Sequence, residues 1–188
     1  FLKCEMPLPA RKHFQRALEC AESAGSAYHV ALYRSGLINV RVEMAEFDEV
    51  FDAAEELLED VRAEGYISIE DSLVNILGEA AKFTGDYETA LKHYRSSEEL
   101  ARTLGDERRR VFAIVNQAIV HAVAGHGDAA RRTLSRVEDY LTGSTYQGLS
   151  ANIDLIRLAC AAGDGDYSRF DALLARFEDG WPDGQHLY

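Results

Sequence analysis

Apolar residues recur along the chain at the three- and four-residue spacing of amphipathic helices, and no segment shows the alternation typical of a strand. Glycine and serine interrupt these runs regularly, and prolines occur only near the two ends. We therefore expect an all-α fold. The pattern predicts helices over Pro9–Ala24, Ala27–Ala45, Phe47–Glu64, Ile69–Thr84, Asp86–Leu104, Glu107–Ala124, Asp128–Leu141, Thr145–Ala162 and Tyr167–Glu178. Ser144 with Gln147, and Ser68 with Asp71, have the spacing of capping boxes.

An internal period accompanies the helical pattern. Positions 40 residues apart carry glycine at Gly25, Gly65 and Gly105, and a second set is Ala45, Gly85, Gly125 and Gly165. A third set is Phe47, Tyr87, Gly127 and Tyr167. A period of this length predicts a solenoid of stacked helical units, and we expect the glycines to end helices.

The first helix matches the second helix of a later unit. Ala10–Phe14 corresponds to Ala90–Tyr94, 80 residues further on. We therefore expect the chain to begin with half a repeat and to be a fragment of a longer protein, in agreement with its start at Phe1. The predicted organisation is one domain, 1–188, with a half repeat at 1–25, repeats at 26–65, 66–105, 106–143 and 144–180, and a tail at 181–188.

The segment Gly85–Tyr94 resembles a tetratricopeptide repeat. It has a small residue at the turn between helices, then Tyr87, Ala90 and Tyr94 at the family's spacing, while Leu77-Gly78 and Ala81 match the first helix. The period of 40 residues exceeds the usual 34 and is similar to that of kinesin light chain and of bacterial signal-transduction regulators. The resemblance implies a right-handed α-solenoid of antiparallel helix pairs. It also implies that Ala90 is buried between the helices of its pair.

In this family the first helix of each pair lines a concave groove. The resemblance places in it Ser35, Asn39, Ser72, Asn75, Glu79, Lys82, Phe112, Val115 and Ile119. Other inward positions are Leu32, Val42, Ala122, Asn152, Leu155 and Ala159. An asparagine amide both donates and accepts, and so could hold a peptide backbone. The charged clamp of the chaperone-binding members is not matched, and the groove becomes more apolar towards its second half.

Charge limits the classes of partner that the chain could bind, and cysteine content indicates its compartment. The net charge of −12 disfavours nucleic acid, and no apolar run is long enough for a membrane span. Twelve acidic residues and one basic residue lie within 43–71, while basic residues cluster within 92–136. These are either two solvated helix faces or a patch for a charged partner. Three cysteines without paired spacing favour a reducing compartment, and we expect a cytoplasmic location.

No motif points to catalysis, a metal or a cofactor. His121 and His126 lack the spacing of a zinc site, and Asp164-Gly165-Asp166 is not continued as a calcium loop. We therefore expect a non-enzymatic module that binds a protein or peptide, as the sensor or scaffold part of a larger regulator.

The alternative is an oligomerisation or structural segment that pairs with itself, and an enzyme is the least favoured class. Apolar residues near both ends should lack neighbours and favour self-association, namely Leu8, Phe14, Leu18, Phe170, Leu174 and Phe177.

Overall fold

The computed structural model describes residues 7–141 and 149–179, which contain helices and no strand. The elements are α1 (Pro7–Ser23), α2 (Ala27–Glu43), a 3₁₀ turn (Phe47–Glu49), α3 (Val50–Ala63), α4 (Ile67–Phe83), α5 (Tyr87–Leu104), α6 (Glu107–Val123), α7 (Gly127–Ser135), α8 (Glu138–Leu141), α9 (Ser150–Gly163) and α10 (Tyr167–Asp179). The all-α prediction is confirmed. Most predicted helix ends lie within about two residues of the observed ones. The predicted starts at Ser144 and Thr145 lie outside the described residues.

A left-handed residue ends most of the helices. Six glycines have positive φ, namely Gly25, Gly65, Gly85, Gly105, Gly125 and Gly165, and they belong to the two periodic sets. Ala45 occupies the same position with φ 58° and is the one non-glycine residue of this kind among those described. The next residue closes the helix end by donating its N–H five residues back, as Glu46 does to Arg41 O (2.9 Å) and Asp86 to Ala81 O (2.9 Å). This pattern satisfies carbonyls that would otherwise lack a donor at the helix end.

Two predictions about helix boundaries are wrong. Ser68 does not cap α4, because Tyr66 precedes the helix and Ser68 lies in its first turn. The predicted helix Asp128–Leu141 is divided into α7 and α8. At the break, the N–H of Val137 bonds to Leu134 O at 3.1 Å. This tighter i to i+3 bond accompanies the complete burial of Val137.

The chain forms two compact units, 1–106 and 107–188, divided close to the predicted repeat boundary at 105/106. In the first unit α4 packs against α2, α3 and α5, and α1 packs against α2. Because α4 has neighbours on several sides, it is buried around most of its circumference, and Leu73 and Ala80 are fully buried. Ala90 of α5 is also fully buried, as predicted.

In the second unit α6 packs against α7 and α9, and α9 packs against α7 and α10. The core here includes Val111, Ile114 and Ala118 of α6 together with Leu149 and Ile156. Both units therefore repeat one arrangement: consecutive first helices (α2 and α4, or α6 and α9) contact each other, and each also contacts the second helix of its own pair.

Candidate binding surface

In the first unit the predicted groove residues lie on two helices that contact each other, α2 and α4. Ser72, Asn75, Glu79 and Lys82 follow one another at spacings of three and four, and therefore share one face of α4. All of them are half-buried. Together with Asn39 they are called the polar surface below.

The two predicted residues of α2 differ in accessibility. Ser35 is 4% exposed, and its hydroxyl donates to Leu32 O at 2.8 Å. It is therefore part of the helix packing rather than of an open surface. Asn39 is half-buried, and its amide makes no side-chain hydrogen bond to any residue that the structure describes. Leu32, one turn earlier on the same helix, is 36% exposed.

Glu79 is fixed by a buried tyrosine. The Tyr94 hydroxyl of α5 donates to Glu79 Oε1 at 2.6 Å, while Lys82 Nζ lies 2.6 Å from Glu79 Oε2. Burial raises the pKa of the Tyr94 hydroxyl, and the adjacent Glu79 carboxylate raises it further. The hydroxyl therefore stays protonated and remains a donor. Since the ring of Tyr94 also lies where a Cβ on Gly78 would be, 2.8 Å from the nearest ring carbon, α4 and α5 approach closely here.

An aromatic pair continues this network to the end of α4. Lys82 Nζ lies 4.8 Å from the ring centroid of Phe83, and Phe83 stacks on Phe47 at 6.1 Å between centroids. Phe83 is 61% exposed. The sequence did not single out this cluster, although Phe47 belongs to one of its periodic sets. Because the Lys82 ammonium group contacts both the Glu79 carboxylate and the Phe83 ring, it is less available to a ligand than the sequence suggests.

A second polar contact inside the first unit was also missed. Asp71 and Ser97 are each 3% exposed, and the Ser97 hydroxyl donates to Asp71 Oδ1 at 2.6 Å. The bond joins α4 to α5. Like the bond from Tyr94, it sets the position of α4 relative to its partner and hence the orientation of the polar surface. A sequence cannot distinguish such an aspartate from a capping residue, because both roles suit the same side chain.

The predicted groove residues of the second unit lie on α6. Phe112 and Ile119 are half-buried, and the Arg108 guanidinium lies 5.7 Å from the ring centroid of Phe112. Val115 is fully buried in the core of this unit, so its side chain is not available to a ligand. On the neighbouring helix α9, Leu155 is 48% exposed. Phe112, Ile119 and Leu155 are called the apolar surface below.

Three of the nine lysines and arginines within 92–136 form ion pairs with acidic residues of the chain itself. Arg102 pairs with Glu99, Arg110 with Glu107, and Arg131 contacts both Asp128 and Asp164 at 2.7 Å. Such exposed pairs contribute little to stability, but they reduce the charge presented to a partner. For these three arginines, solvated helix faces explain the charge better than one patch for a charged ligand does.

The described residues contain no group of three histidine, cysteine, aspartate or glutamate side chains placed to hold a metal ion. The rings of His121 and His126 are 6.4 Å apart. Cys20 is exposed and Cys160 is buried, and both are free thiols. Among the described helices, none is long and apolar enough to span a bilayer.

No protein-family model matches the chain, and comparisons with curated proteins and with solved structures found no detectable relative.

Proposed function

We propose that the chain is a non-enzymatic module that binds a protein or peptide, built as a right-handed solenoid of tetratricopeptide-like helix pairs. The observation that supports this most is the contact between consecutive first helices in each unit, α2 with α4 and α6 with α9. Side-by-side first helices are what a groove within each unit requires. The left-handed residues at a regular spacing along the chain support equal helix pairs.

The ligand best suited to these helices is an extended or helical peptide with both polar and apolar side chains. In the first unit the Asn39 amide could bond to a peptide backbone, and the partly exposed Leu32 could contact an apolar side chain. In the second unit the apolar surface would accept an amphipathic segment. We further propose that the module serves as the sensor or scaffold part of a larger regulatory protein in the cytoplasm, where its free thiols would stay reduced.

Selection from a random peptide library tests this function directly. The dissociation constant of each enriched peptide is then measured by fluorescence anisotropy. The proteins compared are the wild type, Asn39→Ala, Leu155→Ser and the control Leu104→Ser. Leu104 lies on the second helix α5 and is 39% exposed, which is close to the exposure of a first-helix residue such as Leu32. At least one first-helix variant should weaken binding about tenfold, while the control leaves it unchanged. If no peptide is enriched, or if only the control variant weakens binding, the chain is not such a module.

A second candidate function is self-pairing, and exposed apolar side chains near both ends of the described chain favour it. Leu8 is 61% exposed and Tyr167 is 70% exposed. Tyr167 was not among the predicted end residues; of those, Phe14, Leu18, Phe170 and Leu174 are half-buried, while the side chain of Phe177 lies outside the described residues. Sedimentation at high micromolar concentration tests this alternative, which predicts a species larger than the monomer.

A further inference from the structure

The outward face of α1 carries positive charge that no ion pair with a described residue neutralises. Lys12, His13 and Arg16 are exposed, and no acidic residue occurs in the helix before Glu19. Leu8 lies one turn before Lys12 and is 61% exposed. These basic side chains are exposed although the chain has a net charge of −12.

The basic residues of this face have no acidic partner among the described residues. Neither Lys12 nor Arg16 takes part in an ion pair there, whereas Arg11 on the other side of α1 pairs with Glu46 at 3.3 Å. On α2, Arg34 contacts both Glu56 and Asp60 of α3. Arg11 and Arg34 therefore pair with carboxylates of the first unit, whereas Lys12 and Arg16 of the α1 face do not.

The exposed face of α3 is the acidic counterpart. Asp52, Glu55 and Glu59 are exposed and take part in no ion pair with a described residue. Glu55 and Glu59 are four residues apart, the same spacing as Lys12 and Arg16. Two rows with one spacing and opposite charge can meet residue by residue along neighbouring helices.

We propose that the Lys12/Arg16 face of α1 docks on the Glu55/Glu59 face of α3 in a second copy of this chain. Both α1 and α3 pack on α2 of their own unit. A two-fold axis would therefore form the contact twice, since each copy supplies one basic and one acidic helix. The contact uses helices other than α2, α4, α6 and α9, so it does not rest on the proposed peptide binding and does not compete with it.

The direction of the salt dependence separates this contact from simple apolar association. Two copies with a net charge of −12 repel each other at long range. At about 0.1 M salt this repulsion is largely screened beyond roughly 10 Å, while charges in contact still attract; at about 1 M the contact pairs are screened as well. The proposed dimer should therefore weaken between these salt concentrations, whereas a dimer held by apolar side chains would not.

Charge reversal with complementation is the deciding experiment, measured by sedimentation velocity on the full chain at about 0.1 M salt. Lys12→Glu with Arg16→Glu, and separately Glu55→Lys with Glu59→Lys, should each raise the dimer dissociation constant about tenfold or more. A mixture of the two double variants should form a mixed dimer through both contacts, because in each of them an α1 face then meets an α3 face of opposite charge. The variant carrying all four changes should self-associate again.

The matched control is Lys92→Glu with Arg95→Glu on α5, where both side chains are exposed. It changes the formal charge as much as the α1 variant does, and it should leave the dimer intact. Circular dichroism of each variant checks that the helices remain folded. A monomeric wild type at high micromolar concentration overturns the proposal, as does a dimer that both charge-reversed variants leave unchanged. Capture of an acidic peptide by the α1 face of a chain that stays monomeric would likewise show that the occupant is not a second copy.

Discussion

Ala45 holds a left-handed backbone conformation that disfavours alanine and suits glycine. Its φ is 58°, and the equivalent positions in other helix pairs are occupied by Gly85, Gly125 and Gly165. A left-handed conformation costs an L-residue with a Cβ about 1–2 kcal/mol. Glycine avoids this cost but loses about 0.4–1 kcal/mol through its greater freedom in the unfolded chain. We therefore expect Ala45→Gly to stabilise the protein by about 0.5–1 kcal/mol.

The reverse substitution at the equivalent position is the matched control. Gly85 has φ 84°, and a Cβ placed on it would meet nothing within 4 Å. Steric conflict with neighbours therefore does not contribute to the change in stability, which reports the cost of the backbone conformation alone. Gly85→Ala should destabilise the protein by a similar amount, about 0.5–1 kcal/mol, so the two substitutions should have opposite signs.

Urea unfolding followed by circular dichroism measures both effects. Both residues lie in the first compact unit. The urea midpoints of the two variants therefore report on the unfolding of the same unit. A change of 1 kcal/mol shifts the urea midpoint by roughly 0.3–1 M, because m is about 1–3 kcal/mol per M of urea. A lower midpoint for Ala45→Gly, or shifts of the same sign for both variants, would contradict the reasoning.

Three further expectations concern the packing of α4 against α5 and a half-buried histidine. Ala90→Leu should cost about 1–3 kcal/mol by overpacking a fully buried site, while Ala63→Leu on an exposed site should change the urea midpoint little. Gly78→Ala should lower the midpoint despite the roughly 1 kcal/mol that alanine gains in a helix, because the new Cβ would lie 2.8 Å from the buried ring of Tyr94. Burial lowers the pKa of His93 below its ordinary value of 6.5, so below that pH the unfolded chain takes up a proton that the folded chain refuses. Stability should therefore fall as the pH is lowered from about 7 to 5.5, and the fall should be smaller in His93→Gln; an equal fall in that variant would refute the assignment.

The sequence predicted the helices well because their ends carry a local signal. Each glycine with positive φ lies where the periodic sets placed a helix end, and Ala45 was included through its position in the period. The burial of Ala90 was predictable for a similar reason, since a small residue at a fixed position permits close helix contact.

The contacts between side chains of different helices could not be predicted from local sequence patterns. Ser68 and Asp71 have capping-box spacing, yet Asp71 lies buried against Ser97 of the next helix. Val115 fits the family's inward position but belongs to the core. In both cases a neighbouring helix decides the role of the residue, and the spacing along one helix does not reveal which helix that is.

Methyl NMR of the chain with a peptide enriched from the library tests the central claim most directly, namely that the first helices carry the binding surface. Leu32 on α2 and Ile119 on α6 report on first helices, while Leu104 on α5 is an exposed reporter on a second helix. We predict that the peptide shifts the methyl signals of Leu32, Ile119 or both, and leaves those of Leu104 unchanged. Shifts confined to Leu104, with Leu32 and Ile119 unaffected, would contradict a ligand surface on the first helices.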